Sequence, residues 1–442
     1  MTRSPISIDL AEWSSVAATD SRSPLAGVFL EGTDVQNIAQ QLTAAGMLVI
    51  RELREGLSIT STFYVGRIAL GNIQITIHPK ISGTPLIHLL QYAYGFRDLH
   101  ISTMVHYESE ERAFQDILVA QLIAEASELV ARGLHRRYVR TDTVLASPRG
   151  RIDLQRIIKQ GGVIQATIPC TYYPRLEDCL INQVLLQGLH LAALLTSDSS
   201  LRIHLYRLIS LLEESVSSIR LDFSILKKLH REMDRLTTAY RPAITIIELL
   251  LAGEGIALEE DQRKIHLPGF LFNMNLFFQA LLSRFLNEYL TDCEVRDQYK
   301  IKGMMSYDSH HNPRRRRAPT PRPDYVILQQ GKVNSILDAK YRDLWEHNLP
   351  SHMLYQLAIY ALSQPQGVHA TILYPTVQVE AREARIVLHD PVYGTGQGHV
   401  VLRPVNLLTL EKLLVNLEKK IHAEIERERA SFARWLAFGE EG

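Results

Sequence analysis

The arrangement of hydrophobic and polar residues makes the first hundred positions read as β-rich. Ile73, Ile75 and Ile77 alternate with Gln74, Thr76 and His78. That is the spacing of a half-buried strand, because successive side chains of an extended chain face opposite ways. Gly46-Met-Leu-Val-Ile-Arg51 adds a short apolar run. Gly66 and Gly71 punctuate the segment, and Pro79 stops its last strand. A small, strongly curved sheet or barrel is the expected outcome. From about Glu108 to Leu251 the period becomes helical, with Phe114, Ile117, Leu118, Leu122, Ile123, Leu129 and Val130 on one stripe. Ser147-Pro-Arg-Gly150 interrupts as a turn, and a short β segment follows to about Tyr173. Helices are then expected over 176–196, 201–217 and 223–239. Gly253, Gly255 and the polar stretch to Lys264 read as a linker.

The last part alternates between the two periods. Residues 274–290 predict a helix whose apolar face is Met274, Phe277, Phe278, Leu281, Leu282 and Phe285. Strands are expected at 324–328, 333–339 and 370–374, a helix at 352–362, and a long charged helix at 409–435. The order predicts an α/β multidomain protein. Its parts are an N-terminal β-rich module (1–105), a mainly helical middle region (106–255), and a C-terminal domain with a mixed central sheet (256–442).

Bulk composition narrows the classes. Hydrophobic residues are 46% and charged residues 22%, which is ordinary for a folded chain. Lys plus Arg and Asp plus Glu both number 48, so net charge names no partner, and any nucleic-acid surface has to be a local patch. Cys170, Cys179 and Cys293 form no C-x-x-C pair, which argues against a zinc ribbon or a disulfide framework. Residues 1–20 lack a signal-peptide core and no apolar run reaches membrane-spanning length, so a cytoplasmic protein with no membrane partner is expected. There is no G-x-x-x-x-G-K-[ST], no H-E-x-x-H and no G-x-S-x-G.

The chemistry concentrates in Arg322-Pro-Asp324-Tyr-Val-Ile-Leu328 and Ile336-Leu-Asp338-Ala-Lys340. Both read as strands joined by a hairpin through Gln330 and Gly331. Counting back from Gln329 opposite Lys332 sets Asp324 against Leu337, beside Asp338. Asp338 and Lys340 are two apart and share a strand face. Two carboxylates and an ammonium at one point suit phosphodiester hydrolysis. Carboxylates hold Mg²⁺, the metal activates water, and a lysine steadies developing charge. A D-x-K triplet also arises by chance, but an apolar strand does not carry unpaired charges without cost. Gln356 and Tyr360, four apart, share a helix face. Arg314-Arg-Arg-Arg317 is either a solvated loop or a phosphate contact; its place just before Asp324 favours contact.

Asp324, Asp338 and Lys340 match the pattern of PD-(D/E)xK nucleases, and Gln356 with Tyr360 resembles the Q-x-x-x-Y pair of RecB-type nucleases. The chain more widely resembles the McrC family. Gly66-Arg-Ile-Ala-Leu-Gly71, Ile77-His-Pro-Lys-Ile81, Leu89-Leu-Gln-Tyr-Ala-Tyr-Gly95, Gly150-Arg-Ile-Asp153, Glu177-Asp-Cys-Leu-Ile-Asn182 and Phe272-Asn-Met-Asn-Leu-Phe-Phe-Gln279 carry the resemblance in order. The resemblance implies a Mg²⁺-dependent endonuclease with Asp324, Asp338, Lys340, Gln356 and Tyr360 at the site. It implies double-stranded DNA as substrate; Arg314, Arg315, Arg316, Arg317 and Arg322, by their place just before or beside Asp324, are the candidates to meet its phosphates. It implies as partner a hexameric McrB-like AAA+ GTPase that the N-terminal part stimulates. Most such sequences have a metal-binding glutamate where this chain has Gln279, a neutral ligand. Two rivals stay open: a RecB- or Cas4-like repair nuclease, and a non-catalytic stimulator of the motor.

Overall fold

Alternating apolar residues do build the N-terminal strands: β1 (Ile6–Ala11), β2 (Ser15–Ala17), β3 (Leu48–Leu53), β4 (Gly56–Ser61), β5 (Tyr64–Leu70) and β6 (Ile73–His78). The structure is a computed structural model. It describes residues 6–20, 22–96, 114–159, 166–256, 265–266, 269–301, 304–308, 310–362, 369–389, 392, 394, 396–415 and 422–439. In place of one curved sheet or barrel there are two sheets. One has the order β2-β4-β3; the other contains β1, parallel to β6, and β6, antiparallel to β5. Ile8, Leu10, Ile68, Ile73, Ile75 and Ile77 are buried. Helix α1 (Thr33–Ala44) packs on β3, and α2 (Gly83–Tyr94) follows β6.

The second sheet gains its fourth strand from far along the chain. β7 (Gly269–Asn273) pairs antiparallel with β5, from Gly269 opposite Ile68 to Asn273 opposite Tyr64. The approach is close. Gly66 has φ 133°, and a Cβ there would stand 2.3 Å from the Phe270 carbonyl oxygen, so only glycine fits. This pairing changes the expected three-part division. Residues Met1–Phe114 and Ala257–Gly442 make one compact unit, and Gln115–Ile256 make the other.

The Gln115–Ile256 unit is mainly helical, with α-helices at Leu180–Leu195, Ser199–Glu213, Phe223–Glu232 and Arg241–Glu254, and most of the helix Phe114–Arg132. Asp198 and Asp222 cap two of them through backbone N–H groups. The helix expected to run to 239 stops at Glu232, because the Asp234 carboxylate takes the Leu236 and Thr237 N–H groups and forms a turn. The expected β segment is a small sheet of Thr141–Leu145, Ile168–Tyr172 and Arg151–Ile152. Of the expected linker, 257–264 lies outside the described residues.

The rest of the first unit centres on a six-stranded mixed sheet. After α3 (Met274–Tyr289) come β8 (Glu294–Asp297), β9 (Tyr325–Gln329), β10 (Lys332–Ala339), α4 (Ser351–Leu362), β11 (Ala370–Thr376), β12 (Ala384–His389), β13 (Gly396–Asn406), α5 (Leu407–Val415) and α6 (His422–Phe438). The order is β8-β9-β10-β11-β13-β12, with β10, β11 and β13 parallel. On one face Leu357, Tyr360 and Ala361 of α4 pack against Val326, Ile336, Ile372 and Val400. On the other, Ser335 and Arg403 bond the Ala437 and Leu436 carbonyls of α6. The whole apolar face expected for 274–290 is buried. The expected helix 409–435 is α5 and α6, with 416–421 outside the described residues. Among the described residues no helix is long and apolar enough to cross a membrane.

Candidate active site

A hairpin turn and a bulge set the site. Gln330 (φ 50°) and Gly331 (φ 76°) both have positive φ, as a two-residue type I′ turn demands, and Gln329 faces Lys332. One extra residue then enters β10. Leu328 faces Val333, but Ile327 faces Ser335, leaving Asn334 unpaired, and Tyr325 faces Leu337. Regular counting would set Asp324 against Leu337, on the sheet face away from Asp338. The bulge corrects this: Asp324 comes level with Asp338 and onto its face.

The three charged groups meet there. Asp324 is 6% exposed and Asp338 2%. Lys340 Nζ lies 2.9 Å from Asp338 Oδ2 and 3.9 Å from Asp324 Oδ2. Asp324 Oδ2 also accepts the Ala339 N–H at 2.9 Å. Its Oδ1 accepts the Gln298 side-chain amide at 3.0 Å, and the Gln298 N–H donates to the Asp324 carbonyl at 2.8 Å. Burial pushes the Asp338 carboxyl up to about 6; Lys340 opposes this and the Asp324 carboxylate adds to it. Burial works against the Lys340 ammonium too, but the Asp338 and Asp324 charges outweigh it and hold its pKa above the ordinary lysine value.

Gln356 and Tyr360 do stand together. The Gln356 side-chain amide donates to the Tyr360 hydroxyl at 2.9 Å. Burial raises the Tyr360 pKa, and the charges of Asp338, Lys340 and Asp324 act on the phenol, which places it beside the cluster. Gln279 is reached through its backbone: its carbonyl accepts the Tyr325 hydroxyl at 2.6 Å. No hydrogen bond joins its side chain to Asp324 or Asp338. One turn before it, Asn275 Oδ1 takes the Tyr341 N–H at 3.0 Å; one turn after it, the Ser283 hydroxyl bonds Asp297. Arg314, Arg315, Arg316, Arg317 and Arg322 are all exposed. Their loop is clasped by Asn312, whose amide bonds both the carbonyl and the N–H of Arg316 at 2.8 Å.

Sequence reasoning missed Gln298 and Asn275. Gln298 stands in no motif, Asn275 lies in the run ending at Gln279 without any role marked for it, and each meets the site only through tertiary pairing. Among the described residues no group of three or more His, Cys, Asp and Glu is disposed to hold a metal ion. Cys170, Cys179 and Cys293 are free thiols.

The fold is thus mixed α/β, with two buried aspartates and a lysine gathered on one hairpin face. A family model described as "McrBC 5-methylcytosine restriction system component" matches residues 59–375, and the chain belongs to that family. Its fold is similar to a chain in the half-complex from the tetradecameric assembly of Thermococcus gammatolerans McrB AAA+ hexamers with bound McrC. The TM-score is 0.61 at 18% identity, covering 96% of this chain and 99% of that one. A chain of the Thermococcus gammatolerans McrBC complex aligns at TM-score 0.45 and 18% identity over 66% of this chain and 89% of that one. No curated protein matches.

Proposed function

We propose that this chain is the DNA-cutting subunit of its restriction system, a Mg²⁺-dependent endonuclease of the PD-(D/E)xK type. The observation that carries the reading is the bulge-set convergence of Asp324, Asp338 and Lys340.

The donor set suits a divalent cation. Two buried carboxylates share one ammonium, and the Asp338 carboxyl is pushed up to about 6 by burial and its neighbour's charge. Hard oxygen donors short of positive charge are what Mg²⁺ satisfies. Asp324 and Asp338 would hold it, with the Gln279 amide oxygen as a neutral third donor. Bound there, it would polarise the phosphate and lower the pKa of an attacking water.

The chain's own residues supply the rest. Gln298 and the Ala339 N–H fix the Asp324 carboxylate before substrate arrives. Lys340, held at Asp338, offers an ammonium to the charge that develops on the phosphate. Tyr360, oriented by Gln356, presents a hydroxyl beside the acids. Arg314 to Arg317 and Arg322 contact DNA phosphates, adding affinity without sequence choice.

The solved relative is bound to McrB AAA+ hexamers. We extend that partnership: this chain, lacking a P-loop, hydrolyses neither GTP nor ATP and instead accelerates a McrB-like GTPase. The test is Asp338→Asn and Lys340→Ala, each assayed with the partner, Mg²⁺ and modified DNA. Cutting should be lost while partner binding and fold persist. Full cutting by either variant rejects the assignment.

A further inference from the structure

Lys80, in the run Ile77-His-Pro-Lys-Ile81, has no role in the site described above. Its ammonium lies 2.5 Å from Asp343 Oδ2 and 2.9 Å from Glu346 Oε2. Its own N–H donates to Glu12 Oε1 at 2.8 Å, and the same oxygen accepts the Tyr341 hydroxyl at 3.2 Å. Trp13 donates its ring N–H to the Tyr341 carbonyl at 3.1 Å, and the Arg342 guanidinium lies over the Trp13 ring, 5.0 Å from its centre. With Asn275 on its N–H, Tyr341 is held at all three of its polar groups. Glu12, Trp13, Lys80, Tyr341, Asp343 and Glu346 help to wall a cavity of about 180 Å³.

The position of this network matters. The Lys340 N–H donates to the Leu373 carbonyl at 3.0 Å, past the last paired residue of β10. Beyond it the chain leaves the sheet, and side-chain bonds from residues 12, 13, 80 and 275 take over from the backbone ladder. Asp343 is 3% exposed, so removing its cation would leave a buried charge uncompensated.

We propose that Lys80 and Glu12 are positioning residues for the site: acting through Asp343 and Tyr341, they fix the end of β10 so that the Lys340 ammonium stays at the two aspartates. The inference rests on Lys340 belonging to the cutting site.

Lys80→Met removes the cation and keeps most of the stem. The full-length variant is assayed with the GTPase partner, Mg²⁺ and DNA, and separately by acetic anhydride labelling of Lys340, read by mass spectrometry against exposed Lys332. At saturating DNA the cutting rate should fall on the order of 10- to 100-fold with KM unchanged, since small displacements at a reacting centre cost that much. Lys340 labelling should rise several-fold while circular dichroism is unchanged. Lys80→Arg, which can still bridge Asp343 and Glu346, should restore most of the rate. If Lys80→Met does not fold, Glu12→Gln is read by the same two measurements with the same expectation. Unchanged Lys340 labelling in a folded variant overturns the inference, whatever the rate. If Lys340→Ala itself cuts fully, the reading of the cutting site fails, and labelling alone still decides whether Lys80 positions Lys340.

Discussion

Gln298 bonds Asp324 twice, through its N–H to the carbonyl at 2.8 Å and through its side-chain amide to Oδ1 at 3.0 Å. Making both bonds requires a backbone φ of 49°, where a residue with a Cβ is strained. Such strain costs about 1–3 kcal/mol and persists where the surroundings hold it. Gln298→Gly loses the amide but relieves the strain; Gln298→Ala loses the amide and keeps it. We expect the alanine variant to be less stable than the glycine variant by about 1 kcal/mol in urea unfolding. Both should cut more slowly than the parent. Equal stabilities would show that the backbone there is not strained.

The acid pair makes stability depend on pH in a defined direction. The folded-state pKa of Asp338, about 6, lies above its unfolded value, so the folded protein holds the proton more tightly. Its contribution is therefore fully present at low pH and is lost as pH rises from roughly 4 towards 6. A divalent cation competes with that proton. Ca²⁺ should raise the melting temperature more at pH 8 than at pH 5, and Asp338→Asn should abolish the difference. Equal shifts at both pH values in the parent protein would sink the cation assignment without any assay of cutting.

Deleting Asn334 tests the bulge. The deletion keeps the Gln330-Gly331 turn and every apolar residue of β10. It removes the one unpaired residue, so Ser335 follows Val333 directly and the regular ladder still sets Asp324 opposite Asp338. Cutting should therefore persist in the folded deletion variant, as it should in Asn334→Ala, which keeps the extra residue. A folded deletion variant that no longer cuts would mean that the bulge itself, and not the facing of the two aspartates, is what the site needs.

The arginine loop predicts a salt effect. If Arg314 to Arg317 each meet a phosphate, replacing all four with alanine should flatten the dependence of log affinity on log salt by roughly 0.9 for every phosphate no longer neutralised. Discrimination between modified and unmodified DNA should stay the same, because phosphate contacts carry no base information. Titrations by fluorescence anisotropy at several salt concentrations measure this. A slope identical to the parent's would leave the loop a solvated surface.

How much of this was legible beforehand depended on sequence distance. The Ile73 to Ile77 alternation, the buried face of α3 and the D-x-K strand could be read because each signal is local. Gln330-Gly331 marked the hairpin for the same reason. The bulge at Asn334 could not be read, since nothing in the Lys332-Val-Asn-Ser335 run says which residue is left unpaired. α1 was missed because its sequence is largely polar and its stabilising contacts come from β3. The pairing of β5 with β7 was invisible for another reason: its register is a tertiary fact between segments that share no pattern. Gln298, Asn275 and the Glu12–Lys80–Asp343 network were hidden likewise, each being a contact whose partner lies on another element.

That same β5–β7 pairing has a consequence for biosynthesis. The ribosome delivers β5 first, then roughly two hundred residues that include a whole second unit, and only then the strand that completes the sheet. At about 5–20 residues per second the β5 edge waits roughly 10 to 40 s for its partner. During that interval the nascent chain offers an unpaired strand edge carrying Val65, Ile68 and Leu70. Slowing translation should lengthen that exposure and lower soluble yield unless a chaperone covers the edge.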